Sequence, residues 1–353
     1  MCNYLAQILY ASFSNQFRRQ TPMTSRISAL VLRAAYKLLT ILQPGRSDHY
    51  SSSPEAMLFA GKQPYLPTHL ENPLIPKIIW TYWDSDNSDA LVDQCFESWR
   101  IHNPGFAIHV LNNQNMKRHI PLTDIPAAFL ELPPAKRSDW VRLYVVSRHG
   151  GYWLDASILL TQSLAWLDVA RHEQGAEFSG FHLEGYKKDS RLPVVESWAF
   201  GAPANSSFVT AWQKEFHHAL IELGTERYLA DIQNSNNQSV LQGIADPAYL
   251  LIHVTAQQVL RRDNDFTLAL FKAEDTAYFY QKTLSWKWYF LYPRLCLISE
   301  KHPSAPLIKL RGGERRHFSE LFTKHGQPVQ GSIWQKACDK LPSRCYINDI
   351  NNL

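Results

Sequence analysis

The sequence predicts an α/β protein, a sheet with helices on both faces, and three observations predict it. Short apolar runs alternate with helical stretches from Lys77 onward. A helix–glycine–glycine–strand unit spans Ala135 to Leu164. An apolar content of 45% over 353 residues supplies an ample core.

The first element is an amphipathic helix over residues 26–42. Ile27, Leu30, Val31, Ala34, Leu38, Ile41 and Leu42 form one face, and Arg26, Arg33, Lys37 and Thr40 the other, before Pro44-Gly45 ends it. Residues 1–47 contain six basic residues (Arg18, Arg19, Arg26, Arg33, Lys37, Arg46) and no acidic one, against a net charge of +4 for the whole chain. Three readings suit such a helix: docking on the core, lying in an anionic membrane surface, or an organelle transit peptide. A Ser- and Pro-rich stretch follows, and residues 48–73 read as a linker.

The compact domain is expected over residues 74–300. Lys77–Tyr82 is a strand, Asn87 or Ser88 caps a helix striped by Val92, Cys95, Phe96 and Trp99, and Phe106, Ile108 and Val110 alternate as the next strand. Further strands are expected at 158–160, 178–182 and 195–200. Asn205 or Ser206 caps a helix carrying Phe208, Trp212 and Phe216 that ends at Gly224, and Asp246-Pro247 opens another. Residues 264–300 are aromatic-rich without a clear period. The segment 301–353 reads as basic and loop-like, with Lys309, Arg311 and His317 as a solvated face.

The central unit, AKRSDWVRLYVVSRHGGYWLDASILLTQSL, begins as a helix with Trp140, Tyr144 and Ser147 on one side. Gly150-Gly151 ends it, because paired glycines permit backbone angles that other residues resist. A strand follows through Tyr152, Trp153 and Leu154, and Asp155 stands at its end. Asp139 and Arg142, three apart, share a helix face that the glycine turn could bring to Asp155. An Asp–Arg pair at that spacing is also what a solvated surface carries. A carboxylate at a strand end, however, is where open α/β sheets bind ligands.

Several classes are set aside. No basic groove interleaved with aromatics suggests nucleic acid, and no Walker or GxSxG element is present. The five cysteines make no zinc spacing; Cys338 and Cys345 could pair, but reduced thiols in a cytosolic protein are the expectation. No apolar run reaches membrane-spanning length, and the first ten residues lack a basic n-region.

At the central unit a family resemblance enters. SDWVRLYVVSRHGGYWLDASILLT resembles the S-D-x-x-R…G-G-x-Y/W-x-D-x-S/T/D pattern of the capsular polysaccharide synthesis proteins. These fall within the glycosyltransferases with a sugar-binding DxD motif, which the large glucosylating bacterial toxins share. Two further blocks agree in order: IPKIIWTYWD with CFESWRIHNPGFAIHVLN (Ile75–Asn112), and ESWAFGAPANSSFVTAWQKEF (Glu196–Phe216). The resemblance implies a GT-A-like nucleotide-sugar-binding sheet. It also implies transfer from a nucleotide donor, a UDP-sugar above all, to a glycan or lipid-linked glycan with retention of configuration. It implies that Trp80 stacks on the donor base, that Asp139 and Arg142 hold the donor sugar, and that Asp155 contacts ribose, sugar and metal. Gly331-Ser332-Ile333-Trp334 resembles the toxins' S-x-W element, so Ser332 and Trp334, in a C-terminal segment closing over the donor site, would contact the β-phosphate.

The triplet here is Asp155-Ala156-Ser157, so the second acid of DxD is absent. Weak, donor-assisted Mn²⁺ or Mg²⁺ binding through Asp155 is therefore expected. The alternative is a catalytically silent relative acting as a membrane-docked assembly protein. A glycoside hydrolase built on Asp139 and Asp155 is a third reading. The expected location is the cytoplasm, on the inner membrane face if residues 26–42 bind lipid.

Overall fold

The computed structural model describes residues 24–42, 48–51, 53–60, 73–85, 89–184, 193–263 and 265–339. In chain order the helices are α1 (Thr24–Leu42), α2 (Ala90–His102), α3 (Pro134–His149), α4 (Ala165–Glu173), α5 (Ser207–His217), α6 (Thr225–Asn234), α7 (Leu251–Arg262), α8 (Phe279–Thr283), α9 (Trp288–Tyr292), α10 (Gly312–His325) and α11 (Ile333–Cys338). The strands are β1 (Ala56–Ala60), β2 (Ile78–Tyr82), β3 (Ala107–Leu111), β4 (Gly151–Leu154), β5 (Ile158–Leu160), β6 (Phe178–His182), β7 (Val195–Ala202), β8 (Thr267–Lys272) and β9 (Leu307–Lys309).

Seven strands form one mixed sheet in the order β1-β8-β6-β7-β4-β2-β3. β4, β2 and β3 run parallel, β7 runs antiparallel to both β4 and β6, and β6 is parallel to β8. Alternate strand residues feed two apolar cores. Ile79, Tyr152, Leu154, Ala199 and Phe271 enter the core shared with α2. Trp80, Trp153, Phe200 and Leu270 enter the one shared with α3, α5 and α7. Both faces are thus covered, as an α/β sheet requires.

The Gly150-Gly151 turn fixes where β4 begins. Both residues have positive φ, 66° and 103°. A Cβ on Gly150 would lie 2.5 Å from the Ala204 nitrogen, and one on Gly151 2.7 Å from the Ile78 carbonyl oxygen. Only glycine permits this backbone approach of β4 to β2 and to the loop after β7.

Several expected elements are displaced. Asn87 and Ser88 lie outside the described residues; the cap of α2 is Asp89, whose carboxylate accepts from Leu91 and Val92 N–H. Ser206 caps α5 as expected, whereas Asp246-Pro247 opens a turn and α7 begins only at Leu251. Within the expected linker, residues 56–60 form β1, an edge strand antiparallel to β8. β8 itself lies in the aromatic-rich stretch that shows no period. A second, two-stranded sheet pairs β5 antiparallel with β9, aligning Ile158 with Lys309.

The helix α1 docks, but by a narrow face. Leu32 and Tyr36 are buried, and the Tyr36 hydroxyl donates to Asp48, which in turn pairs with Arg294. Leu30, Val31, Leu38, Ile41 and Leu42 remain exposed. Among the described residues, no helix is long and apolar enough to cross a membrane.

Candidate active site

The parallel strand β4 ends at Leu154, and the Asp155 N–H is fixed by the Trp198 carbonyl of β7 at 2.8 Å. From α3, Arg142 reaches across the glycine turn. Its Nη2 donates to Asp155 Oδ1 at 3.0 Å and lies 3.3 Å from Asp139 Oδ1. Its Nη1 donates to Ser197 Oγ and carbonyl, at 2.6 and 2.8 Å, and the guanidinium sits 5.0 Å from the centre of the Trp153 ring. The i,i+3 pair is therefore buried rather than a solvated surface pair: Asp139 is 9% and Arg142 5% exposed.

A residue that sequence reading places on a solvated basic face completes the cluster. Lys309 Nζ donates to Asp155 Oδ2 and to Ser157 Oγ, both at 2.9 Å, while Ser157 Oγ donates to the Leu310 carbonyl at 3.0 Å. The β5–β9 pairing brings it there. Lys309 and Arg311, two apart in extended chain, share a face, with the buried Leu310 turned to the core between them. His317 is not merely solvated either; it stacks on Trp288 at 4.1 Å.

The two carboxylates are pushed in opposite directions. Burial raises the pKa of Asp139 despite Arg142 beside it. Burial acts likewise on Asp155, but the charges of Lys309 and Arg142 outweigh it and hold Asp155 below the usual carboxylate range.

Next along β7 lies a cavity of about 320 Å³, lined by Glu196, His253, Tyr278, Trp286 and Arg311 among others, with Asp139, Arg142, Asp155 and Lys309 outside its lining. Glu196 precedes the Ser197 that binds Arg142, and Tyr278 packs edge-on to Trp198 at 5.5 Å. Leu183 and Glu274, which follow β6 and β8, place the cavity at the carboxyl ends of those strands, where such sheets place ligands. In its wall Glu196 and His253 approach to 3.5 Å, both buried, and Glu196 Oε1 and His253 Nδ1 have no hydrogen-bond partner among the described residues. At its mouth Arg311 lies 4.8 Å over the half-exposed Trp286 ring and is braced by Glu314. Ser285 and Trp286 both hold positive φ, 53° and 60°, a costly conformation for two consecutive non-glycine residues.

The structure thus brings Asp139, Arg142 and Asp155 together and adds Lys309. Trp80, Ser332 and Trp334 lie elsewhere. Trp80 is buried, donates to the Gly150 carbonyl at 2.9 Å and stacks on His109, which aims its ring toward the start of β4 rather than its end. Ser332 caps α11, accepting from the Gln335 N–H, and Trp334 packs on Phe322 and Phe318 in the core beneath α2.

Nor does the Asp155 site fit a divalent metal. Oδ1 accepts from Arg142 and Trp153, Oδ2 from Lys309, and the nearest carboxylate, Asp139, is held by the same guanidinium. Mg²⁺ and Mn²⁺ call for several free oxygen ligands, and an ion here would lie against two cations. Among the described residues, a His/acid group spaced for a metal occurs at His49, Glu300 and His302, where Glu300 already accepts from Arg294 and from the backbone N–H groups of Lys301 and His302.

Residues 63–222 match the family described as "Capsular polysaccharide synthesis protein", the family that the three motif blocks resemble. A curated relative, the O-glycosyltransferase PaGT of Phomopsis amygdali, is 24% identical over an alignment of 158 residues that covers 40% of this chain. The aligned stretch spans only 38% of that relative's length. The solved structure titled PaToxG Glycosyltransferase aligns over 88% of this chain and 97% of its own at 12% identity, with a TM-score of 0.31.

Proposed function

We propose that this chain is a glycosyltransferase that moves a sugar from a nucleotide donor, a UDP-sugar, to a hydroxyl of a glycan or lipid-linked glycan in surface polysaccharide synthesis. The observation that carries the reading is Asp155 at the end of β4, locked between Arg142 and Lys309 beside a cavity of sugar size. The family match over residues 63–222 supports it.

The roles follow from chemistry. Asp139 and Asp155 accept hydrogen bonds from sugar or ribose hydroxyls. Arg142 keeps the two carboxylates in register, since its Nη2 lies between them while Nη1 is anchored on Ser197. Arg311 meets the diphosphate at the cavity mouth. Trp286, half exposed there, offers the aromatic face for the donor base that Trp80 does not. Glu196 and His253, with unpartnered polar atoms in the cavity wall, receive the acceptor hydroxyl. Retention of configuration is what the resemblance implies.

The exposed stripe of α1, flanked by exposed Arg33 and Lys37, suits an anionic membrane surface that presents a lipid-linked acceptor, which would place the protein on the cytoplasmic face. The deciding experiment is incubation with a panel of nucleotide sugars while free nucleotide is followed by NMR. Release from one donor, increased by an acceptor glycan, is expected. Silence across the panel, with and without Mn²⁺, would leave the silent-relative reading standing.

A further inference from the structure

The misfit of a divalent cation at Asp155 has a counterpart in the same cluster. Leaving-group charge in sugar transfer must be met by a metal or by fixed cations in a dry site. Lys309 is such a cation. Its ammonium has three N–H bonds, of which two are used, one on Asp155 and one on Ser157. The third has no partner among the described residues, although Lys309 is only 8% exposed. Ser157, standing where the second acid of DxD would stand, gives its proton to the Leu310 carbonyl and so turns a lone pair toward the ammonium. Arg311 follows on the same face of the strand and lines the cavity. A divalent ion on Asp155 would have to displace Lys309 and leave a buried ammonium unpaired, which is costly.

We propose that Lys309, with Arg311 beside it, supplies the positive charge that meets the departing diphosphate, so that this chain turns over its nucleotide-sugar donor without a metal ion. The inference rests on the glycosyl-transfer reading above. In the step, the bond between C1 of the sugar and the diphosphate oxygen breaks, and its electron pair stays on the diphosphate. The acceptor hydroxyl oxygen bonds C1, and the hydroxyl proton passes to the departing phosphate oxygen. The free N–H of Lys309 and the Arg311 guanidinium donate to the phosphate oxygens as their charge grows. Asp155 and Ser157 hold the ammonium in place beforehand, so no reorganisation is needed at the moment of bond breaking.

The test uses the full chain, stripped with EDTA, and the donor panel. Nucleotide release in EDTA is expected within about twofold of that with Mn²⁺, because no step passes through the ion. Lys309→Met should lower release by roughly a hundredfold or more, the scale of losing one preorganised donor, and Lys309→Arg should restore part of it. Thermal melting of both variants separates lost charge from lost fold. The EDTA comparison needs no variant and stands even if Lys309→Met fails to fold. Release that EDTA abolishes and Mn²⁺ or Mg²⁺ restores would overturn the inference while leaving the transfer reading intact. No release with any donor in either condition would overturn both.

Discussion

Lys309 and Asp155 stand 154 positions apart in sequence and 2.9 Å apart in space, ammonium to carboxylate. With Arg142 on the other carboxylate oxygen, Asp155 is held from both sides. A carboxylate so fixed loses little entropy when a ligand hydroxyl arrives, and it cannot rotate away. The arrangement also balances charge, two cations against Asp139 and Asp155, in a site mostly closed to water.

Arg142 is the most connected member, so its loss should be felt in both fold and function. Arg142→Ala leaves the buried Asp139 facing the part-buried Asp155 and strands the Ser197 oxygens. Breaking a buried pair on one side costs about 3–5 kcal/mol, and urea melts should show a loss of that order. Asp155→Asn keeps the shape but removes the charge that holds Arg142 and Lys309. Nucleotide release should fall by more than about a hundredfold, with a smaller loss of stability because the Asp155 side chain is a quarter exposed. Near-normal release from a folded Asp155→Asn protein would remove Asp155 from the site.

The opposed pKa shifts predict opposed pH behaviour. Asp155 titrates below its unfolded value, about 3.9 for a free aspartate. Its stabilising contribution is therefore fully present above that value and is lost as pH falls through the lower folded one. Asp139, raised mainly by burial, behaves conversely: its ionisation penalises the fold above the raised value and ceases to do so below about 3.9. Urea melts from pH 7 down to about 3 should show the gap between wild type and Asp155→Asn closing in acid. Over the same range wild type should gain on Asp139→Asn. Parallel pH curves for the two variants would show that the shifts are misassigned.

What the sequence makes legible, and what it hides, follows from how far apart the partners lie. Asp139, Arg142 and Asp155 fall within one helix–turn–strand unit. Helical spacing and a glycine turn whose Cβ positions are closed off suffice to bring them together. Lys309 depends on the pairing of β5 with β9, a non-local register that no local pattern announces, and a basic residue among Arg311, Arg315 and Arg316 looks solvated. β1 is likewise invisible: AMLFA is five residues long in a Ser- and Pro-rich stretch, and its strand character is conferred by β8. For Trp80 the strand is readable but the aim of the ring is not, since packing on His109 and the Gly150 carbonyl decides it. Ser332 shows the limit of a short motif: a serine before a helix is first of all an N-cap.

Trp286 offers a test of where the donor base sits. Its ring is 38% exposed at the cavity mouth, over Arg311. Stacking of a base on an aromatic side chain is worth about 1–3 kcal/mol, so Trp286→Ala should raise the donor KM by roughly tenfold or more. Because the ring touches no reacting atom in this reading, kcat should change little, and the conservative Trp286→Phe should recover much of the affinity. An unchanged KM in Trp286→Ala would place the base elsewhere.

The helix α1 separates two roles by face, and the faces can be mutated independently. Leu32 and Tyr36 are buried, at 1% and 5% exposure, and tie the helix through Asp48 to Arg294. Truncating them should cost fold stability: a Leu→Ala change at a buried site typically costs about 2–5 kcal/mol, and Leu32→Ala should lower the melting temperature accordingly. Leu38 and Ile41, by contrast, are 44% and 72% exposed, on a stripe that also carries Leu30 and Leu42. A charge introduced there meets water in the isolated protein and should leave melting and nucleotide release unchanged. On a membrane the same charge would be driven into the acyl boundary. Leu38→Asp with Ile41→Asp should therefore abolish sedimentation with vesicles rich in anionic lipid. Replacing Arg33 and Lys37 by Gln should weaken binding by about 1 kcal/mol per residue and flatten its salt dependence. Full-length protein that ignores such vesicles at low salt would show that this stripe faces something other than lipid.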